Sequence, residues 1–120
     1  MSASHPRLNT RICDLFKIEY PIVQTGMGWV STARLTAATS AAGGIGFLAT
    51  ATQTFDEMKE SVAEIQEATD KPFGINVRTD APDIEDRLDW SIKSGAVSYT
   101  HLRAHETREE LVRRIQREKK

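Results

Sequence analysis

Three features of this sequence combine residue type and position in a way that favours ligand binding. Gly26-Met27-Gly28 lies between a short apolar run and a helix-forming segment, where small residues let backbone N–H groups approach an anion or a flat ring. Asn76 interrupts an apolar run near its carboxyl end, and Gln24 ends an earlier run. Amide side chains are uncommon in buried strands and need a partner there. These residues predict a binding mouth at one edge of a sheet.

Each of these features also has a purely structural explanation. A tight turn alone accounts for Gly26 and Gly28, and hydrogen bonds to neighbouring loops account for the amides of Gln24 and Asn76. The turn is not a dinucleotide-binding fingerprint, because the third glycine of GxGxxG would fall at Ser31. The residue pattern leaves the binding and structural interpretations open.

The sequence offers no residue for acid–base or nucleophilic chemistry at these strand ends, because no histidine, cysteine or lysine stands there. We expect Cys13 to be a small buried hydrophobe and His5 a solvated terminal residue. Trp29 and Trp90 are expected to be packing residues and not stacking platforms. The acidic residues between positions 80 and 89 predict a helix N-terminus with a solvated face. One cysteine and three histidines predict neither a disulfide nor a metal site.

Hydrophobic spacing and capping signals predict three strands that alternate with three helices. Thr54 and Glu57 form a capping box, Ser31 is expected to cap the first helix, and glycines after two of the helices favour their termination. The predicted strands are residues 21–25, the apolar run 44–50 and residues 73–77, and the predicted helices are residues 32–42, 55–68 and 84–95.

This β-α-β-α-β-α order favours right-handed crossovers between parallel strands, because each connection has room for one helix. The predicted fold class is α/β, a partial (β/α)8 TIM barrel with about three N-terminal βα units. A closed barrel needs typically about 250 residues, so these 120 are not expected to close one. A small doubly wound sheet is the alternative. Both architectures place ligands at the carboxyl ends of the strands.

Composition is that of a globular protein, with 39% hydrophobic and 28% charged residues. The sequence has no stretch of about 18 apolar residues, so no membrane span is predicted, and the N-terminus lacks the apolar region of a signal peptide. A cytoplasmic location is therefore expected. Residues 1–96 carry 9 basic and 13 acidic residues, whereas residues 97–120 carry 7 and 4. No aromatic platform or base-reading motif accompanies the basic segment, so no nucleic-acid partner is predicted.

Three motifs, YPIVQTGMGWVS, AAGGIGFLAT and TDKPFGINVRTDAPD, resemble the N-terminal part of the nitronate monooxygenase family, over residues 8–96. The resemblance implies an FMN-dependent TIM barrel that oxidises alkyl nitronates with dioxygen. It further implies that the backbone of the turn formed by Gln24, Thr25, Gly26 and Met27 lies against the flavin ring, and that Asn76 hydrogen-bonds the flavin. The implied partners are a small-molecule nitronate and dioxygen, with no membrane.

The chain departs from the family pattern in two ways. The family commonly has Gly-Gly where this sequence has Thr25-Gly26, and its catalytic histidine and phosphate-binding loops belong to later βα units. No catalytic residue is therefore assigned, and the chain is expected to be a fragment that is inactive on its own. The alternatives are the flavin-dependent enoyl-acyl-carrier-protein reductase, whose N-terminal motifs are similar, and a fragment with no enzymatic role.

The last 24 residues have a resemblance of their own. Residues 97–107, VSYTHLRAHET, are similar to the translation of a transposase-based sequencing-library adapter. The predicted organisation is therefore an FMN-binding barrel segment over residues 1–96 and a non-native or helical basic tail over residues 97–120. A capping box from Thr107 to Glu110 supports the helical form of that tail.

Overall fold

The computed structural model describes residues 5–96 and 98–102, and the predicted helix that begins at Thr107 lies outside them. Four parallel strands form one sheet in the order β1-β2-β3-β4. A 3-10 turn, Pro6–Leu8, precedes the first helix. The strands are β1 (Val23–Gln24), β2 (Ile45–Ala49), β3 (Phe73–Arg78) and β4 (Ser98–Leu102), and the helices are α1 (Arg11–Phe16), α2 (Ala33–Ala41), α3 (Phe55–Ala68) and α4 (Ile84–Ser94).

The alternation of parallel strands with α2, α3 and α4 confirms the prediction of a partial (β/α)8 barrel. Two elements were not predicted. The six-residue α1 is too short to show a periodic stripe, and β4 lies in the segment predicted to be non-native or helical. The backbone of β4 pairs with β3 from Gly74 to Arg78. The division of the chain after residue 96 stays a prediction.

Helix boundaries follow from local chemistry at their ends. The capping box of α3 is complete, because the Thr54 side chain accepts from the Glu57 N–H while the Glu57 carboxylate accepts from the Thr54 N–H. Gly43 (φ 111°) follows α2, and Gly95 (φ 93°) follows α4. The expectation that Ser31 caps α2 was wrong, since Thr32 is the N-cap and accepts from Leu35. The Ser31 hydroxyl bonds to the preceding turn instead.

The sheet separates two packed layers. Side chains from β2 and β3 pack with the helices in an apolar cluster, in which the sheet residues Leu48 and Ile75 are fully buried. A smaller cluster on the opposite face joins α1 to β2 through residues such as Cys13 and Phe47, and Cys13 is buried as expected. On that face the Phe47 ring lies over Gly74, where a Cβ atom would come within 2.2 Å of the ring. Position 74 therefore has no room for a side chain.

In the described part of the chain, no helix has both the length and the apolar character needed to cross a membrane.

The carboxylate of Glu57 gives the N-terminus of α3 a measurable pH dependence. Hydrogen bonds from the backbone and side chain of Thr54 lower the pKa of Glu57 below its ordinary value of 4.5. Its contribution to stability is thus present above pH 4.5 and is lost as the pH falls through the lower pKa of the folded chain. We expect Glu57→Gln to unfold at lower urea than wild type at neutral pH, with the difference disappearing in acid.

The control for this measurement is Glu60→Gln, an exposed position beyond the first turn of α3. Urea midpoints of the three proteins across the acidic range separate the cap from general charge effects. A Glu57→Gln difference that stays constant with pH would contradict the assignment.

Candidate functional site

The β1–α2 turn contacts β3 at the carboxyl edge of the sheet. The Asn76 amide, with the residue only 7% exposed, donates from Nδ2 to the carbonyl oxygen of Gly26 at 3.4 Å. A Cβ atom on Gly26 would lie 2.5 Å from that nitrogen and 2.7 Å from the Asn76 Cβ. Position 26 must be glycine for this approach. Two predicted site residues that are 50 positions apart in sequence are thus in contact.

Gln24 contacts the same turn from the other face of the sheet. The pairing of Gln24 with Gly46, and of Asn76 with Ala49, places the two amides on opposite faces, because the paired β2 positions are three apart. The Gln24 Nε2 atom donates to Ser31 Oγ at 2.8 Å and to the Phe47 carbonyl at 3.3 Å. The Gln24 amide nitrogen is therefore bonded within the protein, and the predicted contact of this residue with a cofactor stays a prediction. The Gln24 side chain contacts the turn through Ser31. It lies on the opposite face of the sheet from Asn76, so the two side chains do not line the one binding site that the sequence had predicted.

Ser31 holds the turn in shape. Its hydroxyl, 2% exposed, accepts from the Met27 N–H at 2.7 Å and donates to the Thr25 carbonyl at 2.9 Å. Thr25, Met27 and Gly28 are exposed above this hydroxyl. The turn therefore presents its backbone at the surface while its shape is fixed from inside, and it can accept a flat ring laid against it.

A second set of contacts, which sequence reasoning missed, positions Asn76 from behind. Thr50, at the end of β2, donates from its hydroxyl to the Asn76 carbonyl at 2.8 Å and from its backbone N–H at 3.2 Å. Arg87 on α4 donates to the Thr50 carbonyl at 3.0 Å and to the Gln53 carbonyl at 2.8 Å. It also donates to Asp83 at 2.9 Å. Only the four-residue spacing from Asp83 to Arg87 could have indicated this arginine from sequence.

A cavity of about 840 Å³ opens at the same edge of the sheet, between the loops that follow β2 and β3. Trp29 forms part of its wall and is 82% exposed, so the expectation that it is a packing residue was wrong. Trp90 does pack, edge-on against Phe55. The cavity lining consists of Trp29, Thr50, Ala51, Thr52, Gln53, Thr54, Phe55, Arg78, Asp80, Ala81, Pro82, Asp83 and Arg87.

Two of the acidic residues after β3, which were expected to form a solvated helix face, make ion pairs with arginines. Asp80 forms a bidentate pair with Arg78, and Asp83 pairs with the buried Arg87. Within residues 5–96 and 98–102, no three His, Cys, Asp or Glu side chains are grouped to hold a metal ion. The lining contains no histidine, cysteine or lysine among the described residues. The lining can bind and orient a ligand, and its two carboxylates, Asp80 and Asp83, are each paired with an arginine.

Comparison with known proteins places these features in a family context. A sequence profile described as nitronate monooxygenase matches residues 9–120. The chain is 52% identical over 89 residues to "(3aS,4S,5R,7aS)-5-hydroxy-7a-methyl-1-oxo-octahydro-1H-indene-4-carboxyl-CoA dehydrogenase" of Mycobacterium tuberculosis, covering 74% of this chain and 25% of that protein. It is 35% identical over 71 residues to a probable nitronate monooxygenase of Staphylococcus saprophyticus, covering 59% of this chain and 20% of that protein.

Among solved structures, FabK from Thermotoga maritima superposes with a TM-score of 0.74 at 35% identity, covering 78% of this chain and 30% of that chain. The enoyl reductase domain of MlnA from Bacillus amyloliquefaciens, at 23% identity and a TM-score of 0.70, shares the fold; the match covers 82% of this chain and 24% of that one. The chain thus spans about a quarter of the length of the M. tuberculosis protein.

The contact between Gly26 and Asn76 predicts that alanine destabilises the chain at position 26 but not at position 28. Gly26→Ala should destabilise the chain by roughly 1–3 kcal/mol, because the new methyl group overlaps the Asn76 side chain. Gly28→Ala is the matched control, since its methyl group would meet only Thr52, at an ordinary 3.6 Å. Urea unfolding measures both, and the NMR signal of the Asn76 side-chain amide should move only in Gly26→Ala. Equal stability of the two variants would refute the contact.

Proposed function

The chain belongs to the nitronate monooxygenase family, and from this membership and the geometry of the turn we propose that it forms the ring-contacting part of an FMN-dependent oxidoreductase. The observation that carries the proposal is the contact of the Asn76 amide with the Gly26 carbonyl. It brings the backbone of the β1–α2 turn and a buried amide together at the carboxyl edge of a parallel sheet, where ligands of this architecture bind.

The residues present fit a flat cofactor ring. Gly26 and Gly28 leave the turn without Cβ atoms, and Thr25 and Met27 are exposed on either side of Gly26. The backbone of residues 24–27 would lie against the ring, and the Asn76 amide would hydrogen-bond its polar edge. Because Ser31 and Thr50 fix these groups before any ligand arrives, little ordering would be lost on binding.

The proposed reaction is oxidation of an alkyl nitronate with dioxygen. FMN, when bound, supplies the electron-transfer chemistry of this reaction. The described residues would hold the ring in place and keep water from the face that the turn covers. The carboxylates of the described cavity, Asp80 and Asp83, are paired with arginines, so we assign proton transfer to the histidine that the family carries in a later βα unit.

A second substrate class is favoured by a specific observation. Identity to the CoA-thioester dehydrogenase of M. tuberculosis exceeds identity to the staphylococcal nitronate monooxygenase. A CoA thioester of a cyclic acid is therefore the second candidate substrate. Reduction of an enoyl-acyl-carrier-protein is the third candidate, because the N-terminal motifs also resemble the flavin-dependent enoyl-acyl-carrier-protein reductase. For all three candidates we propose the same ring-contacting elements, and turnover measurements separate the substrate classes.

The role of Asn76 is testable in a chimera. The matched segment of the M. tuberculosis dehydrogenase is replaced by the corresponding residues of this chain, and FMN affinity is measured by fluorescence titration. We expect Asn76→Ala to weaken FMN binding about tenfold, which corresponds to the loss of one hydrogen bond of about 1.4 kcal/mol. Gln66→Ala is the matched control, because this amide donates to the Ser94 carbonyl on the helical side of the fold.

Unchanged FMN affinity in the Asn76→Ala chimera would refute the proposed role. The 120-residue chain itself serves as a reference: we propose that it retains less than stoichiometric FMN after gel filtration and consumes no oxygen with an alkyl nitronate. Stoichiometric yellow flavin on the isolated chain would contradict the proposal that it retains FMN poorly, and would leave the proposed role of Asn76 unaffected. Oxygen uptake by the chimera with nitronates, compared with turnover of CoA thioesters, addresses the substrate class.

We also propose that residues 97–120 are a segment distinct from the barrel-forming part. Their adapter-like sequence supports this, whereas the pairing of β4 with β3 and the family profile, which extends to residue 120, favour continuity. Resequencing the source gene across the codons for Ser94 to Thr107 decides whether the segment is distinct from the barrel or continuous with it.

A further inference from the structure

The cavity between the β2–α3 and β3–α4 loops has the features of a ligand site in its own right. Its volume of about 840 Å³ lies within the usual range for small-molecule pockets. We propose that it binds a neutral, planar, apolar ring and that Trp29 is the residue that selects this ligand. The proposal concerns a site beside the Gly26–Asn76 contact and does not depend on a bound flavin.

Trp29 is displayed into this cavity at a conformational cost. Its backbone has φ 67°, in the left-handed region that bulky residues rarely adopt, and its side chain is 82% exposed. The turn imposes this conformation, because the N–H groups of Val30 and Ser31 both donate to the Met27 carbonyl. Strained residues persist where the surrounding structure fixes them, and they concentrate at ligand sites. An exposed indole held in this way offers a stacking surface.

The remaining apolar lining comes from the loops before α3 and α4. Phe55 begins α3, and its ring packs edge-on against Trp90 with centroids 6.3 Å apart and the planes at 87°. Ala81 and Pro82, in the β3–α4 loop, also line the cavity. Two aromatic rings and a proline thus line one open cavity, which suits another flat ring.

The charges that line the cavity are neutralised within the protein. Arg78 pairs with Asp80, and Arg87 pairs with Asp83 while also donating to the carbonyls of Thr50 and Gln53. Each arginine of the described lining therefore already has a carboxylate partner. An anionic ligand would have to compete with these carboxylates, whereas a neutral ring would leave the pairs intact. The lining thus favours a neutral ligand.

The Arg87 contacts hold the cavity in its shape before a ligand binds. By joining α4 to both ends of the segment from Thr50 to Gln53, the guanidinium fixes the loop that forms the cavity floor. A ligand entering this cavity would not have to order that loop, which favours binding.

The test uses the ¹⁵N-labelled 120-residue chain, titrated with 2-naphthol as the neutral planar probe. Binding is followed in every variant by the backbone amide signals of the lining residues 50–55, and in wild type also by the indole N–H of Trp29. We expect 2-naphthol to shift the Trp29 signal. Trp29→Gly should weaken binding at least about tenfold, since it removes the stacking ring, while leaving the thermal midpoint unchanged or higher, because glycine adopts φ 67° without strain. Trp29→Phe keeps a ring and should retain affinity within about threefold.

Two further comparisons make the test specific. Leu15→Ala alters another exposed apolar side chain, 72% exposed on α1 and outside the cavity, and should leave the affinity unchanged. Naphthalene-2-sulfonate, the anionic probe of the same shape, should bind more weakly than 2-naphthol. Unchanged affinity in Trp29→Gly, weakened binding in Leu15→Ala, or equal binding of the sulfonate would each overturn the proposal. Loss of binding in Trp29→Gly with retention in Trp29→Phe would support it.

Discussion

The need to pair one buried amide organises the carboxyl edge of this sheet. Asn76 is 7% exposed, and a polar group at that depth is costly unless it is hydrogen-bonded. Its side chain donates to the Gly26 carbonyl, and its main-chain carbonyl accepts from Thr50. The first contact excludes a side chain at position 26, and the second sets the end of β2. Asn76 therefore joins the turn after β1 to the end of β2, while Ser31 and Arg87 fix the turn and the β2–α3 loop themselves.

Much of this architecture was predictable because it depends on local chemistry. The capping box at Thr54 and the stripe of buried residues on α3 are complete within 14 residues of sequence. The run from Ile45 to Ala49, buried at every position, signals a strand covered on both faces. Such signals need no knowledge of distant residues, and they were sufficient for the order of elements from β1 to α4, although not for α1 or β4.

The candidate site was less predictable because it depends on register and on long-range contacts. Which face Gln24 occupies follows from its pairing with Gly46, and a shift of one residue would reverse it. The partners of Arg87 are mainly carbonyl oxygens 34 and 37 positions away, which carry no sequence signature. The exposure of Trp29 follows from the shape of the turn before α2. Residue type identified Asn76 and Gly26, but their contact required the fold.

The order of the strands has a consequence for how the chain is made. Each described strand lies beside the strand that precedes it in sequence, so the spatial order β1-β2-β3-β4 is also the order of synthesis. Contacts between adjacent βα units span only a few tens of residues, which keeps the entropy of loop closure small. Each unit can therefore dock on its predecessor as it leaves the ribosome, without waiting for a distant partner. The architecture is suited to assembly in the direction of translation.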